Sequence, residues 1–191
     1  MTKKILVLLG HPNDKSFTRA MADRYVKGAK HGGANVKYIK VKDLKFDALN
    51  FKKELEPDLQ KMRKLILWCD HLVAIYPVWW GGLPALLKGF FDRTFGPGFA
   101  FRYKENGLGW HKLLKGRSAR IVTVTGGPWL LNYFVYKNAS INGLKWAALW
   151  FAGFSPVKVS EFNGIDTKWS TDKKRKRWLD EVERVGERDA G

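Results

Sequence analysis

Residues 5–21 read ILVLLGHPNDKSFTRAM, and three kinds of pattern follow one another within them. ILVLL (5–9) is a continuous apolar run without alternation, as a strand buried on both faces requires. GHPNDKS (10–16) is a turn by composition, since Gly, Pro, Asn and Asp each favour backbone that leaves regular structure. Beyond Ser16 the period changes: Phe17, Ala20, Met21, Tyr25 and Ala29 fall near helical spacing, and Gly32-Gly33 ends the run. A doubly buried strand that passes through a polar turn into a helix is the start of a βα unit, and it selects an α/β fold.

The alternation continues down the chain. NVKYIKV (35–41) alternates apolar and basic residues, as an edge strand should. EPDLQKMRKLILWCD (56–70) reads as a helix, HLVAIYP (71–77) as a second buried strand, and LPALLKGFFDRTF (83–95) as a helix with Pro84 near its first turn. GPGFAFRYKENGLGWHKLL (96–114) is Gly-rich, aromatic and too irregular for a core element. SARIVTVT (118–125) is a third buried strand, NYFVYKNASINGLKWAALWFAGF (132–154) a long or broken helix, PVKVSEF (156–162) a strand and WSTDKKRKRWLDEVERV (169–185) a final helix. The expected architecture is one domain over residues 1–191, a flavodoxin-like three-layer sandwich around a five-stranded parallel sheet in the order 2-1-3-4-5.

Composition narrows the function. The chain has 191 residues, 45% hydrophobic and 28% charged, which suits one globular core and argues against disorder. A single cysteine, Cys69 in LILWCD, excludes an internal disulfide and reads as a buried, inert thiol. The four histidines show no ligand-like spacing, so no metal is expected. The N-terminal apolar run stops after five residues, short of a signal peptide, and no stretch approaches a membrane span; a soluble, cytoplasmic protein without membrane insertion is expected. The net charge of +17 attracts polyanions, but Lys and Arg are scattered and the one dense run, KKRKR (173–177), opens the terminal helix. No specific nucleic-acid partner is expected.

Ligands of open parallel sheets bind outside the carboxyl ends of the strands, near the switch in strand order. The turns there are GHPNDKSFT (10–18), PVWWGG (77–82) and TGGPW (125–129). The first offers His11, Lys15, Ser16 and Thr18 beside a helix N-terminus, a setting that suits a phosphate. It is not a P-loop, because Asp14 stands where that motif needs a glycine, and no G-x-G-x-x-G follows any strand. The second exposes Trp79 and Trp80 at a strand end, where packing or a subunit interface is the plain alternative. In the third, Thr125, Gly126 and Gly127 allow close approach of a flat ligand, although an ordinary turn explains them too. A planar, phosphate-bearing cofactor satisfies all three turns, and the flavin mononucleotide core has that shape.

GHPNDKSFTRAM (10–21), YPVWWGGLPALLKGFFDRTFGPGFAF (76–101) and TVTGGP (123–128) together resemble the NAD(P)H:quinone oxidoreductases of the flavodoxin-like superfamily, the DT-diaphorase and modulator-of-drug-activity type. The similarity runs from the first strand to about Phe162. It implies that His11, Ser16, Phe17 and Thr18 hold the flavin phosphate and ribityl region. Pro77, Val78, Trp79, Trp80 and Gly81 would line the ring on one side, and Thr125, Gly126 and Gly127 would flank the other. Phe101, Tyr103 and Trp129 fall at the substrate pocket, and Trp80, Tyr103 and Asn138 at catalytic positions. The family's Tyr and His after the TGG turn are replaced by spacing with Asn132 and Asn138, with Tyr133 and Tyr136 close by. The resemblance implies FAD, with FMN as alternative, and NAD(P)H as donor. It also implies ping-pong transfer of hydride through the flavin N5 to a quinone or similar flat acceptor, and a homodimer. An ancillary or regulatory flavoprotein with little turnover is the alternative function.

Overall fold

A computed structural model of the protein describes residues 1–50 and 54–191. In chain order the elements are β1 (Lys4–Leu9), α1 (Phe17–His31), β2 (Asn35–Lys40), a 3-10 turn (Val41–Asp43), α2 (Pro57–Trp68), β3 (His71–Val78) and α3 (Ala85–Thr94). There follow β4 (Phe101–Tyr103), β5 (Trp110–Lys112), β6 (Ser118–Thr125), α4 (Ala139–Asn142) between π-helical segments Leu131–Val135 and Gly143–Trp150, β7 (Val157–Asn163) and α5 (Asp172–Ala190). Strands β2-β1-β3-β6-β7 form one five-stranded parallel sheet, the flavodoxin-like order expected from the sequence.

Alternate residues of the central strands face opposite layers. Leu6, Leu8, Leu72, Ala74 and Ile121 pack against α2 and α3 through Leu59, Met62, Ile66, Leu87 and Phe90. Ile5, Val7, Val73, Ile75 and Val122 pack against α1 and α5 through Met21, Tyr25, Val182 and Val185. Strand β2, with its lysines, lies at the edge as its alternation required. Ser16 caps α1, its hydroxyl accepting from the Arg19 amide at 3.2 Å. Cys69 is buried and donates to the Ile66 carbonyl at 3.3 Å; burial pushes its thiol up to about 12, which leaves it unreactive.

The segment read as irregular has local order, and the one read as a long or broken helix takes the broken form. Residues 96–114 stay out of the main sheet, but β4 and β5 pair as a small antiparallel hairpin whose three-residue strands are too short for a periodic signal. Residues 132–154 form a broken helix, because Lys137 and Asn138 both sit at φ 51° and left-handed residues cannot continue a right-handed helix. No helix among the described residues is long and apolar enough to cross a membrane.

Helices α1 and α5 touch backbone to backbone. A Cβ on Gly28 would lie 1.9 Å from the Glu183 carbonyl oxygen, and one on Gly186 would lie 2.3 Å from that of Tyr25. At the far end of α5, the buried Asp189 carboxylate accepts from the Arg120 guanidinium (Nη2 at 2.7 Å, and Nε) and from the Tyr25 hydroxyl at 2.8 Å. His71, at the start of β3, lies 3.4 Å away. Burial would raise the Asp189 carboxyl, but hydrogen bonds from Arg120 and His71 outweigh it and hold the group well below the usual carboxylate range.

Gly28→Ala is expected to lower stability by about 1–3 kcal/mol through overpacking, whereas Gly143→Ala, with open space around its Cβ, should stay within about 0.5 kcal/mol; urea unfolding measures both. The Asp189 contribution is complete above the unfolded carboxyl value of about 4 and is lost as pH falls through the depressed folded value. Asp189→Asn should therefore flatten the acid limb of the stability–pH curve.

Candidate functional site

The loops at the carboxyl ends of β1, β3, β6 and β7 enclose two adjoining clefts. The smaller, about 210 Å³, is lined by His11, Ser16, Phe17, Thr18 and Pro77. The larger, about 450 Å³, is lined by Trp80, Gly81, Thr125, Gly127, Leu131 and Tyr136. Val78, Trp79, Gly126 and Asp166 line both and mark the seam between them.

The smaller cleft opens on the N-terminus of α1. Of the first-turn amides, Arg19 N–H donates to Ser16 Oγ and Ala20 N–H to the Ser16 carbonyl. The amides of Phe17 and Thr18 have no acceptor within the helix and remain for a ligand, on the positive end of a 15-residue helix. His11 adds a directed donor. In the tautomer whose Nδ1 accepts from the Asn13 amide at 2.9 Å, Nε2 carries the proton; the Asn13 carbonyl lies 3.1 Å from the same Nδ1. Burial holds the imidazole below its ordinary value, and its edge meets Trp79 at a centroid distance of 5.4 Å. Two backbone amides, an imidazole N–H and two hydroxyls form a donor set that fits a phosphate monoester.

The larger cleft is walled by an unusual turn. Trp79 and Gly82 exchange backbone hydrogen bonds of 3.2 and 2.8 Å, and between them Trp80 and Gly81 sit at φ 50° and 70°. Positive φ at both central residues is the type I′ hairpin turn, for which a tryptophan is an uncommon and strained choice. The Trp80 side chain is 98% exposed, so packing does not hold it there. The amides of Trp80 and Gly81 donate to nothing among the described residues and are available at the cleft rim. The Tyr136 ring covers Gly81, with Cγ 3.1 Å from where a Cβ would stand. Opposite, Thr125 Oγ1 donates to the Gly127 carbonyl at 3.1 Å and bonds Asn163 Oδ1 at 2.6 Å, which pins the Thr-Gly-Gly turn.

His11, Ser16, Phe17, Thr18, Pro77, Val78, Trp79, Trp80, Gly81, Thr125, Gly126 and Gly127 therefore lie together around the joined clefts. The remaining candidates lie apart from them within this chain. Phe101 and Tyr103 border a separate groove between the 96–101 turn and residues 147–152. Trp129 is exposed and packs against Tyr133 and Phe134. Asn138 does not line the cleft; its amide donates to the Asn132 carbonyl, and its side-chain Oδ1 is buried without a partner. Sequence reasoning missed Ile165 and Asp166, in NGID directly after the last strand. The strand-end rule pointed at that loop, but its residues carried no distinctive composition.

Residues 3–185 match the family described as flavodoxin-like fold. An uncharacterized NAD(P)H oxidoreductase of Haemophilus influenzae is 32% identical over 128 residues, covering 62% of this chain and only 63% of that relative's own length. The guinea pig (Cavia porcellus) NAD(P)H dehydrogenase [quinone] 1 is 28% identical over 195 residues, covering 85% of this chain and 69% of that relative. Among solved structures, Smu.1420 from Streptococcus mutans UA159 superposes with a TM-score of 0.82 at 31% identity, covering 97% of this chain and 99% of that one.

Trp80→Gly should raise stability by up to about 1 kcal/mol, because it removes a left-handed non-glycine residue and no buried contact. Thermal unfolding against the parent measures it.

Proposed function

We propose that this chain, which belongs to the flavodoxin-like fold family, is a flavin-dependent NAD(P)H oxidoreductase that reduces a quinone or similar flat acceptor. The observation that carries this reading is the pair of clefts joined at Val78, Trp79, Gly126 and Asp166: a narrow end rich in donors for a phosphate, opening into a wider slot with aromatic and glycine walls. The flavodoxin-like family and the NAD(P)H oxidoreductases among its relatives support the same chemistry.

A bound flavin supplies hydride exchange between a nicotinamide and an acceptor; the protein binds, orients and tunes. The Phe17 and Thr18 amides, the His11 Nε2–H and the Ser16 and Thr18 hydroxyls would hold the phosphate. Gly126 and Gly127 let the backbone approach one side of the ring, and Trp79 walls another. The free amides of Trp80 and Gly81 would stabilise negative charge at the ring's polar edge, where preorganised donors act most strongly. Tyr136 lines the slot and brings a phenol that would donate to charge developing there. Asn138 lies outside this set and would act only through the backbone near Asn132.

A homodimer completes the reading. Trp129, Leu130, Tyr133, Phe134 and Val135 are exposed beside the slot, and Phe101 and Tyr103 lie away from it on the same chain. A second copy that covers the first set and presents the second would close the slot over the acceptor. The net charge of +17 favours the encounter with anionic NAD(P)H.

Purified protein incubated with FAD or FMN should retain a yellow flavin spectrum and oxidise NADPH or NADH with a quinone, giving parallel double-reciprocal lines. Protein that takes up neither flavin would overturn the reading, and uptake without turnover would select an ancillary flavoprotein. Tyr136→Phe should lower turnover about tenfold or more while flavin affinity stays within about twofold.

A further inference from the structure

The seam between the clefts contains one charged side chain, the exposed Asp166; Glu105, Asp172 and Glu181 are also unpaired among the described residues, but only Asp166 lines these clefts. Asp14, Glu56, Asp92, Glu183 and Asp189 each lie within 4.0 Å of a cation. Among the described residues the Asp166 carboxylate has neither an ion-pair partner nor a hydrogen-bond donor, although the protein is strongly basic.

The residue is nevertheless held in place. The amides of Gly164 and Ile165 both donate to the Thr125 carbonyl at 3.0 Å, and the Asp166 amide donates to the Gly126 carbonyl at 3.2 Å. Thr167 closes the loop from the other side, its hydroxyl donating to the Gly164 carbonyl at 2.8 Å. The loop after β7 is thus tied to the Thr-Gly-Gly turn. The carboxylate lies over Gly126, with Oδ2 close to where a Cβ would stand, so a larger residue there would displace it. A carboxylate whose backbone is held at the rim of a cleft, and which has no internal donor, is open to donors that arrive with a ligand.

We propose that Asp166 accepts hydrogen bonds from the hydroxyl groups of a polyol chain lying across the seam, between a phosphate in the smaller cleft and a ring in the larger. This rests on the flavin reading above, in which that chain is the ribityl group. A carboxylate accepts from two vicinal hydroxyls without needing a donor of its own. Its charge also repels a phosphate from the seam. The phosphate is then confined to the amides of α1, and the cofactor enters in one direction.

The test compares riboflavin, which has the ribityl chain, with lumiflavin, which lacks it, by quenching of flavin fluorescence on the parent protein and on Asp166→Ala and Asp166→Asn. Asp166→Ala should lose about tenfold to hundredfold in riboflavin affinity, lumiflavin affinity should stay unchanged, and Asp166→Asn, which keeps an acceptor, should fall between. Far-UV circular dichroism and lumiflavin binding show that each variant is folded. An unchanged riboflavin-to-lumiflavin ratio, or equal losses for both, would overturn the proposal and leave the flavin reading standing. Binding of neither flavin by the parent protein would overturn both.

Discussion

A strand buried on both faces can expose polar groups only at its ends, and that restriction organises this molecule. Strands β1, β3 and β6 are apolar and buried along nearly their whole length, with backbone groups consumed by parallel ladders. Charge and unpaired backbone collect where the strands start and stop. At the starting end of β3 and β6, His71 Nδ1 bonds Ser118, Asp189 accepts from Arg120, and His71 Nε2 lies 3.4 Å from Asp189, so the end is closed. At the other end the amides of Phe17, Thr18, Trp80 and Gly81 are left over, and the end is open. One sheet thus has a sealed pole and a receptive pole.

The sealed pole also fixes the receptive one. Asp189 ties the end of α5 to β6 and to Tyr25 of α1, and the glycine crossing brings α1 and α5 into backbone contact. The first turn of α1, which carries the unpaired amides of Phe17 and Thr18, is therefore located by contacts on the opposite side of the domain. An ion pair of this kind contributes little net stability when complete but costs several kcal/mol when broken, so its value lies in specifying one arrangement.

The fold was legible because its signals are long-range in composition and short-range in sequence. ILVLL, HLVAIYP and SARIVTVT could belong only to a doubly covered sheet, and the basic alternation of NVKYIKV placed the edge. The residues that gather around the clefts were legible for the same reason, because the strand ends located them and the TGG and WWGG turns marked them. What escaped depends on tertiary position. Asp166 is an ordinary acidic residue in an ordinary loop until the amides of Gly164 and Ile165 bind Thr125 and turn it over Gly126. Tyr136 reaches the slot because Lys137 and Asn138 break the helix at positive φ, which no periodicity reports. The β4–β5 hairpin is set by pairing, with Phe101 opposite Lys112, and by the stacking of Trp110 on Phe151 at 4.2 Å, both contacts between distant or unpatterned residues.

The turn at Trp80 separates two properties that most binding loops combine. Its path is set by the paired backbone of Trp79 and Gly82 and by the left-handed conformation of the two residues between, while the indole at its tip touches almost nothing. The amides therefore keep their aim for any side chain at residue 80 that tolerates the left-handed backbone. Among residues that tolerate a left-handed backbone, exchange at position 80 would change the shape presented at the cleft rim without redirecting those amides.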